Sequence, residues 1–346
     1  GENIALRPEL TPTLARMIAS KQNELIFPCR WWSFGPFWRY ERPQKGRTRE
    51  FYQWNIDLIG SDEVAADAEL IAVAAEFFRS VGVRPDQVKI LINDRRLMDA
   101  QLSRIGIPAD LKPAVLRMID RIDKQPPDVW DANTRALGVN PQQLVALRSL
   151  LDDCELWQQS DDLKALFAGL DALGVREYTA YEPKIIRGLD YYTGTVFEAR
   201  DTAGNFRAIL GGGHYANLVA EVGGSPLPGV GFAMGDVVVL LLLESLGLIP
   251  EMRAASETVF ISVFDESCQA ASSQAAARLR TAGFRVVAYP GAEKLAKQLK
   301  YADRLGARAA LVIGPDEIAR SEVVVKDLLA RSQQVVPAAE LEKQIA

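Results

Sequence analysis

The sequence predicts an α+β fold, in which an antiparallel sheet flanked by helices carries a helical insertion and precedes a small α/β domain. Three observations lead to this prediction. Residues 36–60 and 190–211 each read as two strands joined by a polar or glycine-containing turn. Residues 97–172 are rich in Leu, Asp and Gln at helical spacing, which is typical of a helical insertion. After Ile249-Pro250 strands alternate with helices, which indicates the α/β domain.

The N-terminal elements follow from local patterns. Thr11 and the proline after it are typical of an N-cap and the first helical position, and apolar residues follow at helical spacing. Within residues 36–60 the polar stretch 42–47 separates two strands. Helical spacing returns over Val64–Val81, and a short strand is predicted at Val88–Asn93.

The later elements complete the prediction. Strands are expected at Asp190–Arg200 and Phe206–Gly211, joined at residues 202–204, and a buried helix after Gly235. The domain boundary is expected near residue 253, giving domains 1–253 and 254–346. In the second domain we expect strands at Val259–Val263, Phe284–Ala288, Ala309–Ile313 and Glu322–Lys326, and helices at Cys268–Ala282, Leu295–Leu305 and Ala338–Ile345.

Composition excludes several classes of protein. The chain of 346 residues has one histidine, His214, which argues against a histidine-based zinc site and a Ser–His triad. Its longest apolar run, Val237–Leu243, is too short to span a bilayer, and no membrane partner is expected. The net charge of −5 argues against a surface coated in positive charge for non-specific nucleic acid binding.

The cysteines and the first residue give two further expectations. The three cysteines are far apart and odd in number, which favours a cytoplasmic protein without a disulfide framework. No protein side chains are assigned to a metal. The chain starts with Gly1 rather than Met, so we expect a native N-terminal segment to precede it.

The first cluster of candidate functional residues spans residues 39–51. Five cations fall within eleven residues, between Arg39 and Arg49, at a predicted hairpin. Arginine suits phosphate because its planar fork offers two aligned donors and keeps its charge, and an aromatic side chain beside it can stack on a base. A solvated hairpin rich in charge explains this cluster equally well.

The second cluster spans residues 187–198, Arg-Gly-Leu-Asp-Tyr-Tyr-Thr-Gly-Thr-Val-Phe-Glu. It places a cation, carboxylates and phenol groups near one another. Taken alone, it is better explained as a tight turn feeding a core strand with half-buried tyrosines.

The third cluster is the glycine run Gly211–Gly213, with further glycines up to Gly235. Glycine lets a backbone approach a ligand closely. The run is not a P-loop and lacks the βαβ setting of a dinucleotide fingerprint. Glycine-rich turns between strands explain it as well as a nucleotide site does.

Together and in this order, the three clusters resemble the histidyl-tRNA synthetase family of class II aminoacyl-tRNA synthetases. Residues 187–198 match the histidine-specific signature of that family almost letter for letter and are the most specific part. The other matching segments are residues 6–12 (a substrate-binding segment), 37–60 (motif 2), 211–235 (the Gly-Gly-Arg-Tyr segment and the glycine half of motif 3), and 294–303 and 323–327 (the anticodon-binding domain).

The resemblance implies a two-step ligase that uses ATP, with Mg²⁺ on the phosphates, to join histidine to tRNA(His). Arg39 and Arg187 would bind the α-phosphate and act as the catalytic residues. Glu41 and Phe51 would position and stack the adenine, and Gly231 and Gly235 would lie against ATP. A homodimer is implied for the full-length protein.

The same resemblance implies a histidine site and a tRNA contact. Glu9, Thr11 and Gln53 would hold the α-amino group. The imidazole pocket or its wall would contain Asp57, where the family often has Glu, together with Tyr192 and Tyr215; a carboxylate and a phenol can bind both imidazole nitrogens. Gln44 and Arg49 would lie in the motif 2 loop and approach the 5′ end of the tRNA, although a plain loop role for Gln44 stays open.

Three departures from the family pattern are visible. Motif 1, the long helix and strand that build the class II dimer, has no counterpart before Gly1. Val238 stands where motif 3 has the arginine expected at the γ-phosphate, and the sequence does not identify a cation that could substitute for it. His214 stands where the family has arginine, and we favour a surface substitution over a group in the pocket wall.

These departures leave a rival interpretation. The chain could be an impaired relative that serves as a histidine-sensing regulatory subunit or a tRNA-binding module. The anticodon-type domain and the retained Glu9, Arg39, Gln53 and Arg187 favour the ligase. An α/β enzyme of unrelated chemistry would leave the match at 187–198 unexplained.

Overall fold

The computed structural model describes residues 2–187, 191–250 and 257–345. Contacts divide the chain into two compact units, residues 1–249 and 250–346. Each unit has its own sheet and its own hydrophobic core. The boundary predicted near residue 253 lies outside the described residues, as do Gly188, Leu189 and Asp190 of the second cluster.

The first unit is built on a seven-stranded sheet. Its strands are β1 (Cys29–Trp38), β2 (Glu50–Ile59), β3 (Val88–Asp94), β4 (Thr179–Tyr181), β5 (Thr195–Asp201), β6 (Leu210–Tyr215) and β7 (Gly229–Gly235). They lie in the order β1-β2-β7-β6-β5-β3-β4, and every neighbouring pair is antiparallel except the parallel pair β3–β4. The predicted α+β class is confirmed.

Helices flank this sheet and fill the insertion. They are α1 (Thr11–Lys21), α2 (Val64–Ser80), α3 (Arg95–Arg104), α4 (Lys112–Ile119), α5 (Pro127–Ala136), α6 (Pro141–Leu151), α7 (Asp161–Ala172), α8 (Leu218–Glu221) and α9 (Asp236–Ser245). One hydrophobic core joins the sheet, α2 and the insertion, through residues such as Ile71, Phe78, Trp130 and Leu166. Burial of these side chains supplies most of the driving force for the arrangement.

Side-chain caps set several helix starts. Asp94 accepts hydrogen bonds from the backbone N–H groups of Arg96 (2.6 Å) and Leu97 (3.2 Å) and so begins α3. Asn140 and Gln143 form a reciprocal capping box at α6. Ser160 caps α7. None of the helices in the described parts of the chain is both long and apolar enough to cross a membrane.

The second unit contains a five-stranded mixed sheet. Its elements are β8 (Thr258–Ile261), α10 (Gln269–Thr281), β9 (Arg285–Ala288), α11 (Leu295–Leu305), β10 (Ala309–Val312), α12 (Pro315–Arg320), β11 (Glu322–Asp327), β12 (Ser332–Pro337) and α13 (Leu341–Ile345). The strand order is β12-β11-β10-β8-β9, with β8, β9 and β10 parallel. The edge strand β12 was not predicted, because its residues are mostly polar and exposed.

Several predicted boundaries were wrong. The residue before α1 is Leu10 and no side-chain cap is formed, so Thr11 is the first helical residue. Strand β1 begins at residue 29 rather than 36, because it pairs along the whole length of β2. Strand β6 runs through the glycines, which lie within the sheet and not in turns. Helix α9 is only half-buried, since Leu240 is exposed.

Candidate active site

A cleft opens on the first unit between the start of α1, the β1–β2 loop, the β5–β6 loop, strands β2, β6 and β7, and the start of α9. Of the residues that the sequence singled out, its lining contains Glu9, Thr11, Arg39, Glu41, Phe51, Gln53, Arg187, Tyr192, Tyr215, Gly231 and Gly235. Asp57, Gln44 and Arg49 do not line it. The structure therefore gathers residues from three distant parts of the chain into one depression.

Arg39 lies at the end of β1 and reaches across the cleft wall. Its Nε donates a hydrogen bond to the carbonyl oxygen of Pro8 (2.9 Å), and its guanidinium carbon lies 5.0 Å from the centre of the Phe51 ring. The backbone of Arg39 donates to that of Arg49 (3.0 Å), which holds the two strand ends together. The arginine is thus supported by a hydrogen bond and by an aromatic ring where it lines the cleft.

Arg187 is held by a buried carboxylate. It adopts a left-handed backbone conformation (φ 58°), and its Nη1 donates to Glu198 Oε2. The other oxygen of Glu198 accepts from Arg200 Nε (2.6 Å). Burial alone would raise the pKa of Glu198, but the two arginines outweigh it and hold that pKa below its usual range. Glu198 therefore stays charged and fixes Arg187.

Glycine in β6 makes room for this arginine. A Cβ atom added to Gly211 would lie 2.2 Å from Arg187 Cζ, so only glycine allows the guanidinium to lie flat on the strand. Arg95, which the sequence analysis missed, donates hydrogen bonds to the carbonyl oxygens of Arg187 (2.6 Å) and Tyr192 (2.9 Å). These two hydrogen bonds hold the backbone in place on either side of residues 188–190.

A cluster of phenols also lines the cleft. The ring centres of Tyr191 and Tyr192 are 4.8 Å apart, and those of Tyr191 and Tyr215 are 6.2 Å apart. Burial raises the pKa of Tyr191, Tyr192 and Tyr215. The three phenols remain neutral and keep their O–H groups available for hydrogen bonding.

Asp57 lies directly behind this cluster. It accepts a hydrogen bond from the hydroxyl of Tyr215 (2.8 Å) and is only 4% exposed. Burial raises the pKa of Asp57 to about 7, against the opposing effect of the Tyr215 hydrogen bond. A Cβ atom on Gly231 would lie 2.2 Å from Asp57 Oδ1, so glycine is required there. The buried carboxyl of Asp57 thus orients the side chain of Tyr215 in the cleft wall.

Asn55 is a cleft residue that the sequence analysis missed. It lies on β2 between Gln53 and Asp57, is 3% exposed, and lines the cleft. Its Nδ2 has no hydrogen-bond partner among the described residues. Alternation along a strand puts residues 53, 55 and 57 on one face, and that pattern could have found it. A buried amide without a partner is costly, which favours a ligand acceptor at this point.

The β1–β2 loop carries the two residues predicted to contact tRNA. Glu41 pairs with Arg47 (2.9 Å), and an isolated β-bridge joins Gln44 to Arg47. Arg49 lies outside the cleft with its guanidinium carbon 5.0 Å from the ring centre of Tyr40. Gln44 and Arg49 are thus on the outer side of the loop.

The expectation for His214 was wrong. The side chain is buried on β6, and its Nδ1 lies 2.9 Å from Asp67 Oδ1, on α2. Its Nε2 lies 2.9 Å from Asp62 Oδ1 but out of hydrogen-bond alignment, so this second contact is electrostatic. Burial alone would lower the pKa of His214, but the two aspartates outweigh it and raise the pKa. His214 is neither a surface residue nor part of the cleft lining.

The fold and the cleft are those of a class II aminoacyl-tRNA synthetase, in which a largely antiparallel sheet carries a cleft lined by arginines. A family model described as histidyl-tRNA synthetase matches residues 1–236, and one described as an anticodon binding domain matches residues 258–346. The chain belongs to the histidyl-tRNA synthetase family, as its resemblance implied.

Individual relatives agree with this assignment. The chain is 36% identical to the chloroplastic/mitochondrial histidine–tRNA ligase of Arabidopsis thaliana over 352 residues, which are 99% of this chain and 72% of the relative. It is 38% identical to the histidine–tRNA ligase of Opitutus terrae, covering 97% of this chain and 80% of that one. The crystal structure of histidyl-tRNA synthetase from Nostoc sp. PCC 7120 superposes with a TM-score of 0.82 at 26% identity, covering 100% and 85% of the two chains.

Proposed function

We propose that this chain is a histidine–tRNA ligase: it activates histidine with ATP to histidyl-adenylate and transfers the histidyl group to tRNA(His). The observation that carries the proposal is the match of the family to both units of the chain, at 36% identity over nearly its full length. The cleft supports it, because its lining contains both cations and neutral phenols. Ligation requires both, since the cleft must bind a triphosphate and an imidazole together.

Arg39 and Arg187 are proposed as the catalytic residues. In the first step a carboxylate oxygen of histidine attacks the α-phosphorus of ATP, and the bond to the departing pyrophosphate breaks. Negative charge builds on the α-phosphate, and fixed cations lower the barrier by stabilising it. Both guanidinium groups line the cleft, and Glu198 and Pro8 restrict their movement.

The nucleoside is proposed to lie on β7 and the β1–β2 loop. Phe51 would stack on the adenine and Glu41 would accept its amino protons. Gly231 and Gly235 would let the nucleotide approach the strand backbone. A stack of adenine, Phe51 and Arg39 is supported by the Arg39–Phe51 contact.

Histidine is proposed to bind at the opposite end. Glu9, Thr11 and Gln53 would hold its α-amino group. Tyr192 and Tyr215 would face the imidazole, with Asp57 orienting Tyr215 from behind. A polar pocket of this type rejects analogues that cannot pair with it, by roughly 10⁴-fold. Asn55 would add a donor for the substrate.

The remaining assignments follow the family. We propose that residues 1–253 form the catalytic domain, with its helical insertion at about 97–172, and residues 254–346 the anticodon-binding domain. Gln44 and Arg49 would approach the 5′ end of the tRNA. We further propose a homodimer that acts in the cytoplasm.

Mg²⁺ is proposed only as a companion of the ATP phosphates. The described residues contain no group of three or more His, Cys, Asp or Glu side chains that could hold a metal ion. Within the cleft, Glu41 pairs with Arg47 and Asp236 accepts backbone N–H bonds. Phosphate oxygens and water would therefore be its ligands, and no step is assigned to it.

The test is ATP–pyrophosphate exchange with each of the twenty amino acids, followed by aminoacylation of tRNA(His). We expect exchange with histidine alone. Histidine binding without exchange would instead support the rival interpretation, a regulatory subunit or tRNA-binding module. Exchange with another amino acid would contradict the assigned substrate.

A further inference from the structure

The cleft lacks the cation that the family places in motif 3, and the structure shows what occupies that position. Val238, on the first turn of α9, lines the cleft and is only 8% exposed. A Cβ atom on Gly46 would lie 3.5 Å from Val238 Cγ2, so the valine packs against the tip of the β1–β2 loop. This part of the wall is apolar, and any charge for the distal phosphates must come from elsewhere.

The loop between β5 and β6 is held in a fixed shape beside this wall. Asp201, which is buried, accepts hydrogen bonds from the backbone N–H groups of Asn205 (2.7 Å) and Phe206 (3.0 Å). The backbone of Ile209 donates to Ala199 (2.8 Å) and closes the loop. Because both ends are fixed, the residue between them has a defined position.

Phe206 brings this loop against the β1–β2 loop. Its ring packs on the main hydrophobic core, and Lys45 Nζ lies 5.1 Å from its centre. The next residue, Arg207, lines the cleft together with Arg39, Arg47 and Arg187. Four arginines, carried by three loops, thus line the same cleft.

The four arginines differ in their partners. Arg187 is bound to Glu198, and Arg47 to Glu41. Arg39 donates to a carbonyl oxygen. Arg207 forms no ion pair or hydrogen bond with any residue that the structure describes. Burial, and then repulsion from Arg47 and Arg39, lowers its pKa, against the attraction of Glu41 and Glu198, which are paired with other arginines. A cation kept near like charges without an ion pair of its own is typical of an anion-binding site.

We propose that Arg207 binds the β- and γ-phosphates of ATP, and the pyrophosphate product, in place of the arginine that motif 3 has at position 238. The inference rests on the proposed function. It assigns the distal phosphates to the β5–β6 loop, whereas Arg39 and Arg187 keep the α-phosphate. A guanidinium there can offer two parallel donors to phosphate oxygens.

Calorimetric titration of the full chain with ATP, AMP and pyrophosphate tests the proposal. The variants are Arg207→Gln and Arg207→Lys, with Arg135→Gln, an exposed arginine on α5, as the matched control. In Arg207→Gln, the Kd values of ATP and pyrophosphate should rise by roughly tenfold to a hundredfold, the usual effect of losing a charged hydrogen bond, while that of AMP stays unchanged. Arg207→Lys should recover part of the lost affinity. The control Arg135→Gln should bind all three ligands as the unaltered chain does.

Two results would overturn the assignment. Unchanged ATP and pyrophosphate affinity in Arg207→Gln would remove Arg207 from the site. Equal losses for AMP and ATP would move it to the α-phosphate or the nucleoside. These titrations need no reaction, so they are independent of the ligase proposal, which instead fails if the unaltered chain shows no histidine-dependent exchange.

Discussion

The two ends of the cleft are built on different principles. At the end proposed for histidine, neutral phenols and the buried carboxyl of Asp57 lie on or against strands, and they hydrogen-bond to one another. The end proposed for the phosphates carries four arginines, of which Arg39, Arg47 and Arg207 lie on strand ends and loops. Strands and hydrogen bonds among neutral groups fix the polar pocket, whereas three of the arginines are held in place by Glu198, Glu41 and the carbonyl oxygen of Pro8, as stabilisation of phosphate charge requires. Selectivity should therefore depend on the first end and rate on the second.

Removal of either proposed catalytic arginine should have the largest effect. We expect Arg187→Ala and Arg39→Ala each to lower histidine-dependent ATP–pyrophosphate exchange by at least roughly a hundredfold, because each removes a fixed cation from the α-phosphate. Circular dichroism should show an unchanged fold. Arg135→Ala is the control. Near-normal exchange in either variant would refute the phosphate assignment.

Loss of the carboxylate behind Arg187 should have the next largest effect. Glu198→Gln leaves a buried guanidinium without its charged partner, so we expect the free energy of unfolding to fall by about 3 kcal/mol and exchange to fall by roughly tenfold. Urea unfolding measures the free energy of unfolding, and ATP–pyrophosphate exchange measures the activity. Glu177→Gln, whose side chain is 65% exposed, is the control. An unchanged exchange rate would mean that Arg187 is held by other contacts.

At the histidine end, Tyr215→Phe should raise the KM for histidine by about tenfold and leave that for ATP unchanged. The variant removes one hydrogen-bonding hydroxyl from the pocket. Steady-state exchange at varied histidine and ATP concentrations separates the two constants. A rise in both would mean that the two ends of the cleft are not independent.

Asp57 gives a pH-dependent test of the same end. Its pKa is raised from 3.8 to about 7, so the folded chain binds its proton more tightly than the unfolded chain. The associated stability is fully present below 3.8 and is lost as pH rises through about 7. In Asp57→Asn, which cannot ionise, thermal unfolding should show a weaker decline of Tm across this window. An identical pH profile would contradict the raised pKa.

His214 should give the smallest effect, since it lies outside the cleft lining. Its raised pKa contributes stability that is present below 6.5 and is lost as pH rises through the higher folded value. His214→Gln should abolish this loss and change exchange by less than about twofold. Because the His214 window begins at 6.5 and that of Asp57 at 3.8, the two variants serve as controls for each other below pH 6.5.

The sequence predicted the residues that line the cleft better than the residues and strands packed behind them. Residues such as Arg39, Arg187 and Tyr192 stand in recognisable local patterns, so their gathering could be expected. The burial of His214 could not, because its partner Asp67 is 147 residues away along the chain. Strand β6 was placed too early, since glycines have low strand propensity and only pairing on both sides makes them a strand. Contacts between residues far apart in the sequence determine both the burial of His214 and the position of β6.

The glycine strand β6 has a consequence for how this protein can change. Cβ atoms added to Gly211 and Gly213 would meet Arg187 and Tyr192, and one added to Gly212 would meet Phe197 and the backbone of Gly231. Arg187 and Tyr192 therefore lie directly against the backbone on one face of β6, and the other face packs closely against Phe197 and β7. Substitutions can alter the side chains of the cleft walls, whereas the glycines of β6 must stay glycine. New substrate preferences would therefore arise from changes in the wall residues.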